Sequence, residues 1–198
     1  AQKDVRGGLD KASKAAGVAL LGTGAAAWKA TQGASDLGES MNKARQIFGA
    51  AAKDMPGMVG SVADSLGMAR AEALDAAAGI GAMLIPMGSS QAEAARMSAR
   101  MTTLAADLGS FHNADPTEML DRLRAGLSGE SEPLKRFGIV LNEARVQAEA
   151  YRMGIAEVGT QLTDAQKIQA RYSLAIRDAG VANGDFARTS DGLANQQR

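Results

Sequence analysis

The sequence predicts an all-α protein of several short to medium helices, joined at corners marked by Gly and Pro. Apolar residues recur at steps of three and four, which is the spacing of one helix face. Good capping residues stand where those runs begin, and no segment alternates at period two for long enough to form a strand. We expect about six or seven helices, arranged as a helical bundle or an extended helical assembly.

Composition limits the possible functions. Lys plus Arg and Asp plus Glu both total 22, and the balanced charge argues against a dedicated nucleic-acid binder. The chain has no Cys and one His, which excludes a disulfide framework, a thiolate metal site and a two-His metal motif. Aromatic residues make up 4% and Gly contributes 23 residues, so the core is built from small side chains and buries little area per residue. We therefore expect stabilisation by partner copies.

Residues 1–35 form an Ala/Gly-rich N-terminal segment. Its most apolar run is Ala15–Trp28, bounded by Lys14 and Lys29. As a helix, this run would be about 21 Å long, shorter than the ~30 Å hydrocarbon core of a bilayer. A small-residue helix packed against protein is the favoured interpretation, and an interfacial or membrane-active segment is the alternative.

Residues 36–184 form the main helical region, and two helices are expected before the Pro86–Gly88 turn. Ser35 or Asp36 would cap the first, and Pro56-Gly57 would end it. Ser61 would cap the second, which continues until the Pro86–Gly88 turn.

The most regular helix follows, with Ser89 or Ser90 as its cap. Its apolar residues form a heptad seam that lasts under three heptads, so a helix inside a bundle is favoured over a freestanding coiled coil. We also expect the protein to self-associate, through this seam if the seam faces another copy. The seam consists of Ala94, Met97, Met101, Leu104, Leu108 and Phe111.

Start and stop signals are densest in residues 120–145, which we call the corner. Asp115-Pro116 begins the helix that enters it, and Gly126 and Gly129 are expected to end that helix. A short helix then starts at Pro133, with Leu134 and Phe137 as its apolar side. Gly138 closes it, and we expect both Gly129 and Gly138 to adopt positive φ.

Two further helices complete the region. Ile139–Leu141 reads as a buried connector, with Asn142 capping a helix that stops at Gly154. Thr163 and Gln166 form a capping box for the last helix. That helix presents one apolar face, composed of Ile168, Tyr172, Ile176 and Ala179. Residues 185–198 are polar and look like the lead into another helix.

No residue pattern points to catalysis. Glu130 and Glu132 lie beside Arg136, but nothing in the sequence separates their environments, and both are interpreted as favouring a helix start. His112 stands at a helix end and is interpreted as a capping or exposed residue. The sequence predicts a non-enzyme without cofactor or metal.

The segment GLSGESEPLKRFGI, residues 126–139, resembles a segment of the tape-measure proteins of long-tailed bacteriophages. Four other segments resemble the same family in the same order: DLGESMNKARQIFGAAAK at 36–53, LAADLGSFHNADPTEML at 104–120, LTDAQKIQARYSLAI at 162–176 and GDFARTSDGLANQQR at 184–198. His112 stands where the family usually has Asn, and Gly109 where it often has Ala.

The resemblance implies a structural protein of the virion, located in the lumen of the phage tail tube and in the host cytoplasm during assembly. Such proteins set tail length, template tail-tube polymerisation and leave before DNA ejection. The implied partners are other copies of the chain, tail-tube, tail-tip or tail-terminator proteins, and tail assembly chaperones. A host membrane contact that aids genome translocation is the alternative function. Family members are far longer, so this chain would be their conserved N-terminal portion.

Overall fold

A computed structural model describes residues 33–66, 69–185 and 188, and confirms the all-α fold. Most of these described residues are helical and none of them lies in a strand. The chain divides into two compact units, Ala1–Glu39 and Ser40–Arg198. In the first unit, the described residues 33–39 are helical. The run at Ala15–Trp28 lies outside the described residues.

The second unit contains the candidate site. Its described helices are α1 (40–48), α2 (Met55–Leu66), α3 (Arg70–Leu84), α4 (Gln91–His112), α5 (Pro116–Ser128), α6 (Glu132–Lys135), α7 (Glu143–Arg152) and α8 (Asp164–Asp178). Short 3₁₀ turns at Gly49–Lys53 and Gly180–Ala182 follow α1 and α8.

The predicted boundaries of the early helices were wrong. Ser35 and Asp36 lie within helical residues and therefore do not cap a helix start. Pro56-Gly57 does not end a helix, since both residues lie in the first turn of α2. A proline is tolerated there because its missing N–H would have no partner within the helix. Ser61 consequently falls inside α2.

The chain also breaks where one continuous helix was expected. α2 ends at Leu66 and α3 begins at Arg70, with Ala69 extended at φ −66° and ψ 140°. The predicted stop at Pro86–Gly88 is confirmed, because α3 ends at Leu84 and Gly88 has φ 99°.

Helix α4 is the central helix of the unit and contacts α2, α3 and α5. Ser90 caps it as predicted, its Oγ accepting a hydrogen bond from the Glu93 N–H at 3.2 Å. Burial extends around most of the helix and includes Ser98 and Thr102. The favoured interpretation of a helix packed inside a bundle is confirmed for this unit.

Two glycines allow close packing of the neighbouring helices. A Cβ at Gly81 of α3 would overlap the ring of Phe48, which is fully buried. A Cβ at Gly126 of α5 would overlap Leu134, which is also fully buried. The high Gly content therefore includes positions where the absence of a side chain lets large apolar residues fill the core.

Candidate docking corner

The corner is entered through a strongly capped helix start. One carboxylate oxygen of Asp115 accepts hydrogen bonds from the N–H groups of Thr117 at 2.7 Å and Glu118 at 3.1 Å. These bonds, first that from Glu118 and then that from Thr117, hold the pKa of Asp115 below its ordinary value. Pro116 occupies the first helical position, as predicted.

Gly129 ends α5 in the predicted conformation, with φ 117°. Its N–H donates to the Ala125 carbonyl at 3.0 Å, and the Glu130 N–H donates to the same carbonyl at 2.9 Å. Gly126 does not end the helix as expected, because it lies inside α5 and provides the close approach to Leu134.

The short α6 follows Gly129 and packs against α5. Pro133 lies in its first turn and is exposed, whereas Leu134 is fully buried. Gly138 has φ 80° and donates its N–H to the Lys135 carbonyl at 3.0 Å. Positive φ at both predicted glycines is thus confirmed, and the chain changes direction twice within the corner.

The predicted connector is buried and is not a strand. Ile139 and Leu141 point into the core, whereas Val140 is half-buried. The side chain of Asn142 accepts the Arg145 N–H at 2.9 Å and caps α7, as expected. The connector therefore carries the chain from α6 into α7 while its apolar residues remain inside.

An ion pair fastens the connector and α7 to α8. Arg145 donates to the Asp178 carboxylate through Nη1 at 2.6 Å and Nη2 at 2.8 Å, and to the Val140 carbonyl at 2.7 Å. Asp178 also accepts the Val140 N–H at 3.1 Å. Burial raises the pKa of Asp178, but the hydrogen bonds from Arg145 and Val140 outweigh it and the net pKa is lowered.

A second network joins α7 to α8 around the buried side chain of Glu149. Its carboxylate accepts hydrogen bonds from Arg152 at 2.7 and 2.9 Å, from the Ser173 hydroxyl at 2.5 Å and from Arg177 at 2.6 Å. The bonds from Arg152 contribute most to lowering the pKa of Glu149 to about 2, against the opposing effect of burial. The network satisfies an otherwise costly buried charge.

Sequence reasoning missed both networks. The only local signal was the spacing of Glu149 and Arg152, which places them on adjacent positions of one helix. The predicted apolar face of α8 is only partly confirmed. Ile168 and Ala179 are buried, whereas Tyr172 and Ile176 are half-buried. Leu174, which lies outside the predicted face, is fully buried.

Polar contacts from α4 hold the turn that follows α8. Arg100 donates to the side chain of Asn183 at 3.2 Å, and the buried Asp107 carboxylate accepts the Gly184 N–H at 2.9 Å. The Ser110 hydroxyl donates to Asp185 at 3.0 Å. These contacts fix residues 183–185 against the central helix.

Phe111 from the seam and Phe137 from the corner meet at His112. The His112 ring packs edge-on against both, with centroids 5.0 Å apart in each case. The guanidinium groups of Arg136 and Arg122 lie 4.6 and 5.5 Å from the centroid of Phe137. We call these five residues the aromatic patch.

The structure thus separates the sequence-predicted site residues into two groups. The seam residues Ala94, Met97, Met101, Leu104 and Leu108 are buried within the unit, whereas Phe111 is 47% exposed. Self-association through the seam stays a prediction, and in this fold Phe111 is the seam residue that another copy could contact. Gly129, Pro133, Phe137 and Gly138 lie together in the corner, where Gly129 approaches the Arg171 side chain.

A surface groove lies between α3 and α5, with a volume of about 280 Å³. Four of its charged lining residues are paired, Lys43 with Asp75 at 2.6 Å and Arg124 with Asp121 at 3.4 Å, and Glu72 also lines it. Within the described ranges, no group of three metal-ligating side chains occurs. Nor does any helix among those residues have the length and apolar character needed to cross a membrane.

The fold and the corner define a small all-α unit in which two positive-φ glycines flank α6 and two ionic networks join α7 to α8. No family model, curated protein or solved structure matches the chain.

Proposed function

We propose that this chain is part of a tape-measure protein in the tail of a long-tailed bacteriophage, with a structural and non-enzymatic role. Five segments that resemble this family, in the same order along the chain, support the proposal. An all-α fold is compatible with it. The location would be the lumen of the tail tube, where tail length is set before the protein leaves ahead of DNA ejection.

Within that protein, the corner would be a compact docking or initiation element and not the ruler itself. The observation that carries this proposal is the positive φ of Gly129 and Gly138 on either side of α6, together with the Arg145–Asp178 ion pair that joins α7 to α8. A ruler that sets length as a continuous helix needs a straight rise of ~1.5 Å per residue. Tail-tube, tail-tip or tail-terminator proteins, assembly chaperones or other copies of the chain would dock there.

Tail length in paired deletion mutants of the intact phage protein tests this role. Removal of Ser128–Asn142 should abolish tail assembly or make the tails irregular, because it removes the turning glycines and the buried Leu134 and Ile139. A deletion of equal length downstream should give tails of normal appearance and uniform, shorter length. Electron microscopy of both mutants measures the difference.

The ruler alternative makes a different prediction for the same experiment. If the Ser128–Asn142 deletion yields uniform tails that are about 20 Å shorter, at ~1.5 Å per removed residue, the corner is part of the ruler and the docking proposal fails. The membrane-active alternative concerns residues 15–28, and liposome binding with and without residues 1–35 separates it from the structural role.

A further inference from the structure

The aromatic patch concentrates side chains that are scarce in this protein. The chain has four Phe and one His, and two of those Phe and the His lie together on this surface. Phe111 is nearly half exposed and Phe137 is half-buried, so the rings are accessible from outside the unit. Aromatic and Arg side chains are the residues most enriched at the energetically important centres of protein interfaces.

The cationic residues around the rings differ in whether they have a carboxylate partner. Arg122 is paired with Glu118, and Lys135 is paired with Glu132 at 2.6 Å. Arg136 stacks on Phe137 and has no carboxylate partner among the described residues. A guanidinium stacked on a ring still presents its N–H groups along its edge, where a carboxylate from another molecule can accept two of them.

We propose that the aromatic patch is the docking surface for an acidic amphipathic segment of a partner protein. Apolar side chains of that segment would cover Phe111 and Phe137, and a neighbouring carboxylate would pair with Arg136. The inference rests on the proposed docking role of the corner and specifies the chemistry of the partner.

Two other occupants fit these charges less well. A symmetric contact with a second copy would bring two unpaired Arg136 side chains into one interface, which is unfavourable. A nucleic acid would need several cations along its phosphates, whereas the patch has one unpaired Arg beside Glu118 and Glu132. Charge complementarity therefore favours an acidic protein segment.

Binding of a synthetic peptide tests the proposal on the folded chain. The probe is an amphipathic helix with Leu on one face flanked by Glu, and its matched counterpart has Lys in place of Glu. The Glu peptide should bind, and Phe111→Ser or Arg136→Glu should each weaken binding about tenfold or more. Arg136→Glu should also reverse the preference toward the Lys peptide.

Control variants replace an apolar and a cationic residue elsewhere on the surface. Val158→Ser and Arg96→Glu replace an exposed apolar and an exposed cationic residue outside the patch, and both should bind the Glu peptide as the wild type does. Circular dichroism verifies that every variant is folded. Amide chemical shifts should change around Phe111, His112 and Phe137 on addition of the Glu peptide.

Four results would overturn the proposal: no binding of the Glu peptide by folded wild type, equal binding of the Lys peptide, equal losses in the control variants, or a wild-type dimer that Phe111→Ser dissociates. Tighter binding of oligo-dT, lost in Arg136→Glu, would overturn it in favour of nucleic acid. The peptide experiment measures binding and the deletion experiment measures tail length, so failure of either is recognised separately.

Discussion

Arg145 and Asp178 form a bidentate ion pair between the start of α7 and the end of α8, with N–O distances of 2.6 and 2.8 Å. The same two side chains also bond to the N–H and the carbonyl of Val140 in the connector. One pair of charges thereby holds the connector and the start of α7 to the end of α8, which lies more than 30 residues further along the chain. The following predictions test what this and the neighbouring contacts contribute.

Asp178→Asn should lower the free energy of unfolding by about 1.5–3 kcal/mol, because it weakens charged hydrogen bonds in a partly buried position. The matched control is Asp121→Asn, since Asp121 pairs with Arg124 on the exposed surface of α5. Its cost should be roughly 0–1 kcal/mol. Urea denaturation followed by circular dichroism measures the free energy of unfolding of both variants. Equal losses would contradict a stabilising role of the Arg145–Asp178 pair beyond that of an exposed ion pair.

Stability should depend on the ionisation of Glu149. Its pKa is about 2 in the folded chain against an ordinary value of 4.5. Since the folded-state pKa is the lower one, the contribution is fully present above about pH 4.5 and is lost as the pH falls toward 2. It amounts to about 3 kcal/mol at neutral pH.

Urea titrations between neutral and acidic pH compare the wild type with Glu149→Gln. The variant should be less stable at neutral pH and should lose less stability on acidification, because its side chain does not titrate. Glu157→Gln, in the exposed loop after α7, controls for the change in formal charge. The same loss on acidification in Glu149→Gln and wild type would contradict the assignment to Glu149.

Gly138→Ala should destabilise the protein by about 1–2 kcal/mol, because Gly138 has φ 80° and side chains other than Gly resist that conformation. A Cβ there would meet no atom within 4 Å, so the cost is conformational and not steric. Gly57→Ala in α2 is the control: its Cβ also meets nothing within 4 Å, but Gly57 is helical.

The control should be neutral or stabilising by up to about 1 kcal/mol, because Ala has the higher helix propensity. Gly109, which is also helical, is unsuitable as a control, because a Cβ there would lie 2.9 Å from the Ala114 carbonyl oxygen. Thermal melting of both variants measures the contrast, and a stabilised Gly138→Ala would refute the requirement for positive φ.

Gly81→Ala should destabilise the core by about 1–3 kcal/mol, because the new methyl group would overlap the buried ring of Phe48. Gly79→Ala, two residues earlier in α3, is the matched control. Its methyl group would lie 3.4 Å from the end of the flexible Arg124 side chain, and it should be neutral or slightly stabilising. Denaturant midpoints compare the two, and equal midpoints would contradict the close packing of α1 on α3.

Local signals in the sequence predicted the later helices well. The caps at Ser90, Asp115, Asn142 and Thr163 each bond to a backbone N–H within three residues, so short stretches of sequence contain the whole interaction. Pro56 was predicted to end a helix although it lies in the first turn of one, because proline is common both in the first turn of a helix and just after a helix end.

The features that the sequence did not predict depend on which helices pack together. The Glu149 network became visible only when α8 brought Ser173 and Arg177 to α7. The periodic seam correctly predicted burial through Leu108, but it failed at Phe111, which lies in the last turn of α4 and is exposed. The aromatic patch combines residues from α4, α5 and the corner, and no spacing along the chain predicts that meeting.

The most direct test of the central claim is the distance between dyes attached to Arg96→Cys and Met153→Cys in assembled tails. Both positions are exposed, and these 198 residues contain no cysteine of their own. A folded unit of this size has a radius of gyration of about 15 Å, so fluorescence transfer should report a separation below about 40 Å. A straight ruler helix would separate the dyes by roughly 85 Å at ~1.5 Å per residue, and that result would contradict a compact docking element.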